Sequence, residues 1–374
     1  MSEDNNSELE PELPDPNDPE GECFDPVMEP FNPTDIDIVV EPKSLDSLIE
    51  RIKHKEIDMN TDFQRHAELW DPAKMSRLIE SILIRFPLPA FYFDASEDDN
   101  WLIVDGLQRL SSIRKFVIDK KLRLSGLEFL NLNGKNYDEL HRTYQRRIKE
   151  CPVTVYLIKP GTPREVKYSI FRRINTGGVT LNNQEIRNAM AKPADRKLLE
   201  ELATHKFMSS TLGDLSKRMT DQELVLRFWA FYQFDYFEKS NKKTIALFLD
   251  RAMDEIKSGD ESYRENFRQT FDKAISRCYH LLGERAFEKE PSGDGARKRK
   301  NTTLFEVWMV SLAKLEDDEA KLIESNIALF REKIKMLFED SEFLNAITYA
   351  TQKEAHVRIR YERIRKLIDE VIYA

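Results

Sequence analysis

Cysteine is scarce in this 374-residue chain: Cys23, Cys151 and Cys278 stand far apart with no paired spacing. That argues against a disulfide scaffold or a zinc site and fits a reducing compartment, so a cytoplasmic location is expected. No apolar run approaches the twenty residues a membrane helix needs, and the N-terminus is acidic where a secretory signal would be basic and apolar. Neither a membrane span nor a standard signal is expected. The six histidines, His54, His66, His141, His205, His280 and His356, are scattered, no Walker-type loop occurs, and no internal repeat of fixed period is present.

Lysine and arginine are absent from residues 1–42, which hold fourteen Asp and Glu and eight of the sixteen prolines. The net charge of −9 therefore misleads: beyond this stretch 58 basic residues face 53 acidic ones (67 less those fourteen), a balance of +5. Residues 1–34 are expected to form an acidic, disordered tail, because so few apolar side chains cannot offset the entropy of ordering. A solubilising role is the plain reading, and competition with nucleic acid for a basic groove is the sharper one.

Periodicity divides the rest. Ile36 to Val40 reads as a strand, Ser44 to Ile52 as a helix capped by Ser44, and Asp71-Pro72 as the start of a helix striped by Met75, Leu78, Ile79, Ile82 and Leu83. Phe91 to Phe93 and Trp101 to Val104 read as a hairpin across Ser96 to Asn100, and Val153 to Ile158 as a further strand. From about residue 194 helical stripes follow one another, among them Leu224, Phe228 and Phe231; Phe267, Phe271, Ile275 and Tyr279; and Leu304, Val307 and Trp308. Their aromatic residues are expected in a core. The fold class is α+β, with residues 35–192 a mixed domain and 193–374 an all-helical one. The loop Glu290 to Lys300 ends in four cations that could grip a phosphate backbone or simply be solvated.

Two motifs carry chemistry. Asp105-Gly106-Leu107-Gln108-Arg109 sits where a strand gives way to a helix with Leu110, Ile113 and Val117 on one face. Glycine there lets the backbone approach an anion, the first helical N–H groups point at it, and Arg109 adds a fork that matches phosphate. Asp105 could cap the helix or help hold a divalent ion. As plain structure the same residues make a capped helix with a surface arginine. The second motif, Phe171-Arg172-Arg173-Ile174-Asn175-Thr176-Gly177-Gly178, is followed by Leu181 and by Glu185 and Asn188 on one helix face. Its paired glycines could form an anion-binding nest, or an ordinary helix C-cap.

With Phe63-Gln64-Arg65, Trp70 and Pro87-Leu88-Pro89, these motifs resemble, in order, the family of the N-terminal domain of GmrSD-type restriction systems, over roughly residues 35–192. The resemblance implies a fold like that of ParB and sulfiredoxin, in a restriction or phage-defence system. It implies nucleoside-triphosphate binding, with magnesium and with hydrolysis, and an association with DNA; haem, flavin and zinc are not expected. Phosphate would be held by Gln64, Arg65, Gly106, Arg109, Arg173, Asn175, Gly177, Gly178 and Asn188. Catalysis would fall to Asp105, Gln108 and Glu185, with Asp105 as the metal ligand. Leu107 departs from the pattern, which has glutamine there, and puts hydrolysis rather than anion binding in question.

The larger members of that family carry a His-Asn-His-type nuclease domain, for which this chain has no histidine cluster. Glu165-Val166-Lys167 resembles half of a metal-nuclease signature, but no aspartate stands on a convincing preceding strand, and it is read as chance. Three functions remain open: a nucleoside triphosphatase, a metal-dependent DNA nuclease, and a non-catalytic nucleotide- or DNA-sensing adaptor acting through a protein partner or a second copy of the chain.

Overall fold

The computed structural model describes residues 34, 36–59, 70–174, 182–238, 244–289 and 300–374, the side chains of Arg164, Glu165, Arg172 and Lys217 excepted. The acidic stretch 1–33 and residues 290–299 of the cationic loop lie outside them. Two compact units part between Met190 and Ala191.

The first unit contains β1 (Ile38–Ser44), α1 (Leu45–Lys53), β2 (Ile57–Asp58), α2 (Pro72–Leu83), β3 (Phe91–Asp94), β4 (Trp101–Asp105), α3 (Leu107–Ile113), α4 (Arg142–Lys149), β5 (Pro152–Ile158), α5 (Arg164–Ile174) and α6 (Asn183–Ala189). Its strands form one mixed sheet in the order β1-β5-β3-β4-β2. The pairs β1/β5 and β3/β4 are antiparallel, while β5/β3 and β4/β2 are parallel. Parallel neighbours need long crossovers, which the helices supply. The expected α+β class is therefore observed.

Local chemistry explains the boundaries. Ser44 ends β1 and its hydroxyl accepts from the Ser47 N–H at 3.3 Å, starting α1 with Leu45, Leu48, Ile49 and Ile52 inward. Asp71 accepts from the Lys74 N–H at 2.8 Å with Pro72 at the first helical position. The polar link Ser96 to Asn100 joins β3 and β4 as a hairpin whose register slips: Phe93 faces Ile103 but Tyr92 faces Asp105. Such a bulge re-aims the strand end, here Asp105.

Both sheet faces are covered. Phe91, Phe93, Trp101, Ile103, Val153, Val155 and Leu157 pack with α1, α2 and α3. On the opposite face Val104 and Ile158 pack against Tyr168 and Phe171 of α5 and Ile186 and Ala189 of α6. Helix α3 runs straight into a π-helical turn, Arg114–Ile118, which keeps Val117 in the core with Leu110 and Ile113. Strand β1 extends four residues beyond the expected Val40, because Glu41 and Lys43 pair with each other at 2.6 Å and Lys43 lies over the Trp101 ring. Strand β2, two residues long, is too short to leave a periodic signal.

The second unit contains ten α-helices among its described residues: α7 (Pro193–Ala203), α8 (Lys206–Leu212), α9 (Thr220–Gln233), α10 (Ile245–Ser258), α11 (Glu261–Leu282), α12 (Thr302–Ala313), α13 (Asp317–Ser325), α14 (Ile327–Leu337), α15 (Ser341–Ala346) and α16 (Glu354–Ile372). Among those residues the only β pairing is an isolated bridge, Glu288 to Lys300. The aromatic stripes are core: Trp229 stacks on Phe267 at 4.1 Å, and Phe228, Phe271, Phe305, Trp308 and Phe330 are buried with them. One charge cluster lies inside that core. Glu306 of α12 accepts from Arg360 of α16 at 2.6 Å and from Arg227 of α9 at 3.3 Å. No described helix is long and apolar enough to cross a membrane.

Candidate functional site

The end of β4 gathers the described part of the predicted site. Gly106 follows Asp105 with φ +104°, the left-handed region that a side chain disfavours. A Cβ there would stand 2.5 Å from Phe91 Cδ1, so glycine is required twice, by backbone and by space. Helix α3 begins on this turn, with Leu110 N–H donating to the Gly106 carbonyl at 2.8 Å.

Arg109 differs from its expected role as an outward phosphate fork. Its side chain is 8% exposed and turns back: one nitrogen donates to the Pro89 carbonyl, another to the Ala90 carbonyl at 3.0 Å and to Asp105 Oδ2 at 2.6 Å. The guanidinium lies 4.5 Å from the centre of the Phe91 ring. Burial draws its pKa below the ordinary arginine value against the opposing pull of Asp105. The physical reason is register: residue 109 is one helical turn past Asp105, so the shortest path for its guanidinium runs to that carboxylate and to the incoming β3 backbone. Asp105, with about a third of its side chain exposed, is the group that the turn presents.

Beside Asp105 lies Tyr92, whose ring stacks on Tyr156 at 4.5 Å between centroids. Burial, then Tyr156 and Asp105, push the Tyr92 hydroxyl pKa upward, so it remains a neutral donor. Gln108 is half-buried and its Oε1 accepts from the Trp70 N–H at 3.3 Å, tying α3 to the segment that leads into α2.

The second motif reaches the same strand through α5 and α6, which pack on Val104, the residue before Asp105. Arg173 is exposed on the last turn of α5, while Glu185 and Asn188 are buried on α6. Glu185 and Asn182 form a reciprocal cap, the carboxylate accepting from the Asn182 N–H at 2.7 Å and the Asn182 side chain from the Glu185 N–H at 2.8 Å. Gln64, Arg65, Asn175, Gly177 and Gly178 lie outside the described residues, as does Phe63.

Residues 45–192 match the family model for the N-terminal domain of the GmrSD restriction endonuclease. That segment belongs to the GmrSD N-terminal domain family. No curated protein and no solved structure matches the chain.

Within this GmrSD-type domain, Leu107 is buried at 5% exposure in the core cluster that also holds Leu110, Phe91 and Phe93. Its departure from the family pattern therefore changes the core rather than the presented surface. Two further elements escaped the sequence reading. Asp94 at the end of β3 holds Lys167 of α5 at 2.9 Å, and Ser96 bonds both. An aspartate on a preceding strand thus does stand opposite Lys167, contrary to expectation, but Lys167 and Ser96 engage it as a clamp that fastens α5 to the hairpin. The other is Glu80 of α2, a buried carboxylate that accepts from the N–H groups of Glu128, Phe129 and Leu130 at 2.7–2.9 Å. The matching signal was a lone acid on an otherwise apolar helix stripe beside Ile79. Among the described residues no three His, Cys, Asp or Glu side chains form a metal-holding group.

Proposed function

We propose that the first unit binds a nucleoside triphosphate, with magnesium, at the β4–α3 turn, as the nucleotide-handling part of a restriction or phage-defence system that acts on DNA. The observation that carries this reading is the turn itself: a left-handed Gly106 that tolerates no Cβ, flanked by a partly exposed Asp105 whose carboxylate is fixed by Arg109. Family membership of residues 45–192 supports the setting. Likeness of fold to ParB and sulfiredoxin belongs to the same proposal.

Arg109 then serves as a positioning residue. It orients Asp105 to take a magnesium ion or an attacking water, while phosphate oxygens meet the backbone after Gly106 and the exposed Arg173 of α5. Hydrolysis belongs to the same proposal, with Gln108 and Glu185 holding the walls of the site through Trp70 and the α6 cap. The adaptor reading keeps binding and drops turnover. Phosphate release from each of the four ribonucleoside triphosphates, with and without duplex DNA, separates the two. Release above the rate of an Asp105→Asn variant supports the enzyme, and none under any condition leaves the adaptor.

A further inference from the structure

One row of residues runs straight across the sheet of the first unit. Val40 on β1 pairs with Tyr156 on β5, Tyr156 with Tyr92 on β3, and Tyr92 with Asp105 on β4. The bulge between β3 and β4 makes the last pairing, because an unbroken register from Phe93 and Ile103 would set Val104 opposite Tyr92. Phe91, Phe93, Val155 and Leu157 alternate with the two tyrosines and lie in the core with α1, α2 and α3, so the tyrosines stand on the other face.

That row ends open. Helices α5 and α6 cover the face at Val104 and Ile158, and Tyr92 packs against them, whereas Val40 is 52% exposed and Tyr156 half-buried. The two rings stack within 10° of parallel, their centroids 4.5 Å apart. A cross-strand aromatic pair stabilises a sheet by itself. Here the residue beyond Tyr156 is a short valine in solvent, which leaves a step beside the stack. Its neighbours in register, Ile38, Pro42 and Thr154, bring one hydroxyl and no charge. Such a step suits a flat ring recognised by its faces rather than by its edges. At the other end Asp105 stands three strand spacings, about 14 Å, from Val40. Its charge bears on the Tyr92 hydroxyl.

We propose that this row is the base subsite of the nucleotide held at the β4–α3 turn: the nucleobase stacks on Tyr156 over Val40, the ribose crosses the tyrosine edges, and the triphosphate reaches Asp105. The inference rests on the nucleotide reading above and adds where the base sits and how it is recognised. Stacking accepts every base, so the four ribonucleoside triphosphates bind with similar strength.

Equilibrium binding to the full chain, with the four magnesium ribonucleoside triphosphates and inorganic tripolyphosphate as probes, separates the two claims. ATP should bind about tenfold or more tighter than tripolyphosphate, since only ATP carries a base to stack. Tyr156→Leu should lower ATP affinity about tenfold and abolish that difference, and Tyr156→Phe, which keeps the ring, should retain it. Photolysis of azidoadenosine triphosphate on the unmodified chain gives a readout that no variant's folding affects: the label should map to β1 or β5. Tripolyphosphate bound as tightly as ATP, a label on other elements alone, equal effects of the leucine and phenylalanine variants, or a preference above about a hundredfold for one base would each overturn the base subsite and leave the turn as a phosphate site. Binding of neither nucleotide nor tripolyphosphate would overturn both.

Discussion

Arg109 is bound on three sides, so replacing it removes more than a charge. Arg109→Ala leaves the Pro89 and Ala90 carbonyls and Asp105 without their donor, and should cost about 2–4 kcal/mol in urea denaturation. Arg109→Lys should recover less than half, since an ammonium cannot reach three acceptors along a fork. A cost below about 0.5 kcal/mol for both would mean that the inward guanidinium carries no weight. Gly106→Ala should cost about 2–4 kcal/mol in the same assay, combining a left-handed backbone with a methyl forced against Phe91. A cost under 1 kcal/mol would show that the turn can relax. The glycine's need was legible in the sequence, because a strand meeting a helix leaves few alternatives. The direction of Arg109 was not, since only the three-dimensional path of residues 89–90 decides whether a helical arginine turns out or in.

Among the elements, the backbone of residues 128–130 is held by a single helical carboxylate. Burial pushes the Glu80 pKa upward, but the three N–H groups that it accepts hold it below the ordinary glutamate value. A lowered folded-state pKa gives stability that is fully present above the unfolded value near 4.5 and is lost as pH falls through the folded value. Glu80→Gln should therefore destabilise at pH 7 by about 1–3 kcal/mol, and the gap to the unmodified chain should narrow as pH falls below about 4.5. A gap independent of pH between 3 and 7 would contradict the bonding pattern. Helix starts were legible because Ser44 and Asp71 announce caps in the sequence, and the hairpin because a polar run separates two aromatic strands. The bulge at Tyr92 and the two-residue β2 were hidden, since both are matters of pairing between strands rather than of local pattern.

Across the whole chain, the helical unit shows how a core that reads as aromatic can also enclose charge. Glu306→Ala leaves buried Arg227 with Glu223 at 3.7 Å as its remaining carboxylate and buried Arg360 with the Thr351 carbonyl, and should cost about 3–5 kcal/mol in thermal or urea unfolding, more than removal of an exposed ion pair. A cost under 1 kcal/mol would show that water reaches the two guanidiniums. Helical spacing marked Leu304, Val307 and Trp308 of α12 as core, yet that helix is buried all round, so no pattern could separate Glu306 from its apolar neighbours. The described parts of the two motifs were legible as neighbours of β4, through Asp105 and through the packing of α5 and α6 on Val104, and less so as a division of roles between ligand and support. Equilibrium binding of the four magnesium ribonucleoside triphosphates to the full chain and to Asp105→Asn tests the central claim most directly. The account predicts saturable binding of at least one nucleotide, weakened about tenfold or more in the variant. Binding of none, or binding that Asp105→Asn leaves unchanged, would contradict it.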